Sequence, residues 1–137
     1  MGTVYAEITL KNGDDVSDAR RGRIKEQEVR QVSVMAMVDT GAGTLVIDEA
    51  TCQQLGLGIK GLRRSSLADN SKTICKMTMP VEVHWKDRNT FCEAMVLPDA
   101  VTVLLGAIPL EGMDLMVNPV AGELVGAHGD EPLGMIV

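Results

Sequence analysis

Apolar residues in this chain come in short runs of strand length, each closed by residues that turn the backbone, and this pattern constrains the fold more than any other feature. Val4, Ala6, Ile8 and Leu10 alternate with Thr3, Tyr5, Glu7 and Thr9, the two-residue period of a strand with one face buried and the other wet. Asn12-Gly13 ends that run. Val34-Met35-Ala36-Met37-Val38 is apolar on both faces, which predicts a strand enclosed in the core. Three further pairs of runs flank turn-forming clusters: 62–67 and 72–79 around Ala68-Asp69-Asn70-Ser71, 81–85 and 90–97 around Lys86-Asp87-Arg88-Asn89, and 115–117 and 123–125 around Asn118-Pro119-Val120-Ala121-Gly122. Residues 101–105 make one more strand, ended by Gly106. Asp48 is a good N-cap for a short helix over 49–55, with Gly56 and Gly58 to stop it. Residues 109–113 fit a single helical turn opened by Pro109. Roughly eight strands with regular turn signals predict an all-β domain that closes into a barrel or sandwich.

The chain of 137 residues fits one domain, because two would be small for separate cores. We read 1–125 as that domain, 11–27 as an exposed polar loop within it, and 126–137 as a C-terminal tail. Only 2% of residues are aromatic, so the core must be built from Val, Leu, Ile and the nine Met. A net charge of -6 argues against nucleic acid or an anionic membrane as partner, since both reward clustered cations. The basic stretch Arg20-Arg21-Gly22-Arg23-Ile24-Lys25 is offset by Asp14, Asp15, Asp18, Glu26 and Glu28, as in a solvated surface segment. No apolar run approaches the ~20 residues that span a bilayer, and Met1-Gly2-Thr3 does not open a signal peptide. Cys52, Cys75 and Cys92 are an odd set without metal-ligand spacing, which predicts free thiols in a reducing cytoplasm and no metal or other cofactor. His84 and His128 lie far in sequence from any recognisable nucleophile motif, and read as satisfied or solvent-facing side chains.

Asp39 stands out, since it falls between Val34-Met35-Ala36-Met37-Val38 and Leu45-Val46-Ile47, where an unpaired carboxylate is costly. Thr40 offers a hydroxyl, and Gly41 lets amide hydrogens turn back toward the carboxylate. An isolated Asp-Thr-Gly is better read as a plain turn, since chance alone produces the triplet in chains of this length. Here, however, the sequence reads Val38-Asp39-Thr40-Gly41-Ala42 and, some distance on, Leu104-Leu105-Gly106. Together these resemble the retropepsin-like aspartic proteases, over about residues 28–125. The resemblance implies a closed retropepsin-like barrel with one or two short helices, in which Asp39, Thr40 and Gly41 form the catalytic loop. It also implies substrate contacts from Ala42, from Leu105 and Gly106 on the strand beside the loop, and from a hairpin whose tip includes Leu67, Ala68, Asp69, Asn70 and Ser71. That tip lacks the glycines common in retroviral members.

The chemistry needs one group to accept a proton from water and another to donate one. The chain holds a single Asp-Thr-Gly and no Asp-Ser-Gly, and it is too short for a two-lobed enzyme. The second carboxylate must therefore come from a second copy, making a homodimer with one cleft on its twofold axis. The expected activity is endopeptidase cleavage of an extended polypeptide with apolar residues around the cut. The competing expectation is a catalytically silent module of the same fold that binds peptide or dimerises.

Overall fold

The computed structural model describes residues 2–66, 69–98 and 102–130. The chain is mostly β. Its strands are β1 (Tyr5–Asn12), β2 (Gln31–Val38), β3 (Leu45–Ile47), β4 (Ile59–Ser66), β5 (Lys72–Thr78), β6 (Val81–Trp85), β7 (Arg88–Cys92), β8 (Ala94–Val96), β9 (Leu104–Leu105), β10 (Leu115–Asn118) and β11 (Glu123–Asp130). The helices are α1 (Gly13–Arg20), α2 (Glu49–Leu55) and α3 (Ala107–Gly112), with a 3-10 turn at Glu26–Glu28. β1 to β9 form one sheet in the order β4-β5-β8-β3-β9-β2-β1-β6-β7, and β10 pairs with β11 separately. The sequence pattern predicts a barrel or sandwich, and the resemblance a closed barrel. Among the described residues β4 and β7 remain the two edges instead, because no ladder joins them.

The alternation in β1 is realised residue by residue, with Ala6, Ile8 and Leu10 buried. They share a face with their partners Ala36, Val34 and Val32 on β2, and the core continues through Val81, Val83, Leu45, Ile47, Val96 and Leu105. Burying a side chain of this size stabilises by about 1.5–3 kcal/mol. β2 departs from expectation, since only Ala36 is fully buried and Met35 is 57% exposed. Met35, Met37 and Tyr5 lie on the opposite face of the β1–β2 ladder, where Tyr5 is also exposed.

Residues 11–27 are not the exposed loop that their polarity predicts. Lys11 and Asn12 complete β1, and the chain enters α1 directly. Asn12, itself buried, accepts a hydrogen bond from the Asp15 amide at 3.0 Å and donates to the Leu55 carbonyl at 2.9 Å. One side chain thus caps α1 and ties it to the end of α2. Asp15 meets Arg30 through two parallel bonds, 2.8 Å from Nε and 3.0 Å from Nη2. The Arg30 guanidinium lies against Gly56, where an added Cβ would sit 2.0 Å from Nη1. Gly56 ends α2 in the left-handed conformation, at φ 59.

The tail also begins later than the sequence indicates, because β11 runs on to Asp130; residues 131–137 lie outside the described residues. Arg88 on β7 holds this end by donating to the carbonyls of Met113, Asp114 and Gly129. Both histidines are satisfied, His84 on the Glu82 carboxylate and His128 on that of Asp114.

Candidate active site

Asp39 follows the last residue of β2, and its position is set by the short strand β9. β9 runs parallel to β2 (Met37 opposite Leu104, Val38 opposite Leu105) and antiparallel to β3 (Val46 opposite Leu104). It is therefore wedged between the strands that enter and leave the Asp39 loop. The Asp39 amide donates to the Leu105 carbonyl at 3.0 Å, and the Ala42 amide closes the turn onto the Asp39 carbonyl at 3.0 Å. On the far side, the amides of Ala107 and Ile108 at the start of α3 donate to the carbonyls of Ala42 and Gly43, at 2.8 and 3.2 Å. These backbone bonds brace the loop and satisfy polar groups that its apolar surroundings would otherwise strand.

Within the loop, the Gly41 amide donates to Asp39 Oδ1 at 2.9 Å. Asp39 is half-buried and Thr40 and Gly41 are exposed. A carboxylate held by one amide and otherwise open keeps its second oxygen free for water or another acid. Asp39, Gly41 and Ala42 border a cleft of about 750 Å³, whose walls include Val46, Met95, Leu97, Leu104 and Ile108. A second hollow of about 550 Å³ adjoins the other side of the loop, between Val4, Met37, Thr40, Val117 and Pro119.

The remaining predicted contacts divide. Leu105 and Gly106, expected to touch substrate, lie beneath the loop. Leu105 is fully buried, and a Cβ on Gly106 would fall 2.2 Å from the Thr44 carbonyl oxygen and 2.6 Å from that of Ala42. Leu104, one residue earlier, faces the cleft in their place. β4 and β5 form the expected hairpin, with Asp69, Asn70 and Ser71 exposed at its tip. Leu67 and Ala68 lie outside the described residues. Asn70 takes the left-handed conformation at φ 68. Asp69 Oδ1 accepts from both the amide and the hydroxyl of Ser71, and these bonds hold its carboxyl below the usual range. The hairpin reaches the cleft through its stem, by Arg63, Ser65 and Ser66. Sequence reasoning missed these, although the period of two along β4 places Arg63 and Ser65 on one face. Among the described residues no three His, Cys, Asp or Glu side chains gather where a metal could be held.

An aspartate loop between two strands, braced from below by a third and opening on an apolar cleft, is the arrangement of an acid-protease-type domain. The sequence pattern of the family described as gag-polyprotein putative aspartyl protease matches residues 26–111. That is more than half of the chain, and the chain belongs to this family. The match covers β2 to α3 and so contains the whole loop, its bracing strand and the hairpin. No curated protein matches the chain.

Proposed function

We propose that the protein is an aspartic endopeptidase in which Asp39 and its symmetry mate in a homodimer activate water against a peptide bond. The observation that carries this reading is the braced loop, which presents a half-buried carboxylate to a cleft large enough for several side chains. One carboxylate accepts the proton of the attacking water while the other, protonated, donates to the carbonyl oxygen and later to the leaving amine. Two unit charges about 4 Å apart at an effective dielectric near 20 repel by about 4 kcal/mol, equivalent to roughly three pKa units. Repulsion of that size favours one shared proton over two charges in such a pair. In this reading Gly41 orients the carboxylate, and exposed Thr40 bonds to the partner loop. The apolar hollow beside Thr40 belongs to the dimer contact, and the β4–β5 hairpin closes over the bound strand. Three buried free thiols suit a reducing compartment such as the cytoplasm, and burial pushes the Cys92 thiol up to about 11, which disfavours the reactive thiolate.

Incubating concentrated protein with a mixed peptide library tests the reading. Cleavage by the wild type that is lost in Asp39→Asn, with an acidic optimum, is the expected result. Cleavage unchanged by the substitution removes Asp39 from the mechanism, and a rate flat between about pH 4 and 8 removes the shared proton. The silent binding module draws on one observation, that Asp69 and Ser71 bond to each other at the hairpin tip and leave little to grip a substrate. Peptide binding without cleavage in either protein is its signature.

A further inference from the structure

We infer that the cleft selects polypeptides bearing an acidic side chain close to the apolar residues at the cut, and that Arg63 is the residue that reads it. This inference rests on the peptide-binding reading of the same cleft and names its substrate class.

The argument begins with charge distribution. The chain is acidic overall, yet the β4–β5 hairpin carries Lys60, Arg63, Arg64, Lys72 and Lys76 against Asp69 alone. Two of these cations are already paired. Lys60 bonds to Glu93, and Lys76 reaches both oxygens of Glu49 at 3.0 and 3.2 Å. Arg63, Arg64 and Lys72 have no carboxylate partner among the described residues. Strand geometry separates the three. Arg64 pairs with Ile74 and lines a shallow outer depression with Lys72 and Thr73. Arg63 pairs with buried Cys75 and points with Ser65 to the cleft side, where Ser65 meets Met95 at 3.6 Å.

The cleft lining then narrows the choice of ligand. Its wall is largely aliphatic and thioether, and among the described residues Asp39 and Arg63 are its only charged members. Asp39 is engaged by the chemistry. When a bound strand displaces water, Arg63 loses hydration in apolar surroundings, which is costly without a counter-charge. A guanidinium presents parallel N–H donors that match a carboxylate, a geometry that amide or hydroxyl side chains do not reproduce. In an extended substrate, alternate side chains project to the same side. An acidic residue facing Arg63 thus sits beside the apolar residue that fills the space between Val46, Leu97 and Ile108.

The test uses matched fluorescent peptides of one apolar sequence, with Glu, Gln or Lys placed at each position in turn. Binding is measured to the 137-residue Asp39→Asn chain and cleavage with the wild type. One position should favour Glu over Gln by about fivefold in both assays, with the advantage shrinking as salt rises. Arg63→Gln should remove the advantage, and Arg63→Glu should reverse it in favour of Lys at that position. Cleavage without discrimination between Glu and Gln, or discrimination that survives in Arg63→Gln, overturns the inference and leaves the peptidase reading intact. Discrimination in binding without any cleavage by the wild type supports the inference and overturns the peptidase reading. Binding of neither peptide overturns the inference.

Discussion

A methyl group at position 106 has nowhere to go. Its nearest neighbours would be two backbone oxygens, those of Thr44 and Ala42, and backbone held between strands cannot step aside as a flexible side chain can. Gly106→Ala should therefore cost about 2–4 kcal/mol in urea unfolding, and activity should fall with it because the displaced oxygens belong to the Asp39 loop. Gly41→Ala is the informative contrast. Its added carbon lies 3.2 Å from Asp39 Oδ1 and touches nothing else within 4 Å, so stability should change by less than about 1 kcal/mol while peptide hydrolysis drops. Equal losses of stability in the two variants would show that the packing argument is wrong. The sequence makes Gly106 conspicuous, because Gly follows two leucines at a set distance from Asp-Thr-Gly, but it hides the reason. Periodicity also cannot say which of Leu104 and Leu105 faces the cleft, since both are apolar. Only the register against Met37 and Val38 decides it.

At the scale of elements, α1 shows how a polar segment becomes ordered without an apolar stripe. Gly13–Arg20 buries Val16 as its only large apolar side chain, and what holds the helix is the Asn12 cap and the Asp15–Arg30 pair. Arg30 holds the Asp15 carboxyl below its usual value, so the pair contributes stability above the unfolded Asp value of about 3.9, and that contribution is lost as pH falls through the lower folded value. Arg30 is half-exposed, which limits the pair to about 1 kcal/mol. Asp15→Asn should lower stability by that amount at neutral pH and flatten the acid limb below about pH 4; an unchanged acid limb in chemical unfolding would refute the assignment. The partners of Asn12 and Asp15 lie at Leu55, Gly56 and Arg30, well separated in sequence, which is why composition alone reads the segment as a loop. Hairpins β4–β5, β6–β7 and β10–β11 were legible because turn chemistry is local. The strand order of the main sheet was not, because neighbours such as β5 and β8, or β1 and β6, depend on distant pairing; the place of β9 beside the Asp39 loop came from the family resemblance and not from local pattern.

For the whole molecule, the decisive question is whether one copy is a complete catalyst. The chain supplies one Asp-Thr-Gly loop, with Thr40 exposed at its apex and an apolar hollow at its flank. The outer face of the β1–β2 ladder leaves Tyr5 and Met35 exposed nearby in the same strands. Each subunit of the proposed dimer carries -6, so association brings like charges together. That repulsion is screened over about 10 Å at 0.1 M salt. Two consequences separate a dimeric enzyme from a monomeric one. Specific activity should fall on dilution, and moderate salt should restore it by tightening the dimer, even as the same salt weakens recognition of an acidic substrate at Arg63. Mixing wild type with excess Asp39→Asn should suppress activity by forming heterodimers with one competent carboxylate. Sedimentation that finds only single subunits under conditions where peptides are still hydrolysed, or a rate per chain independent of concentration and of added variant, would show that Asp39 works without a symmetry mate.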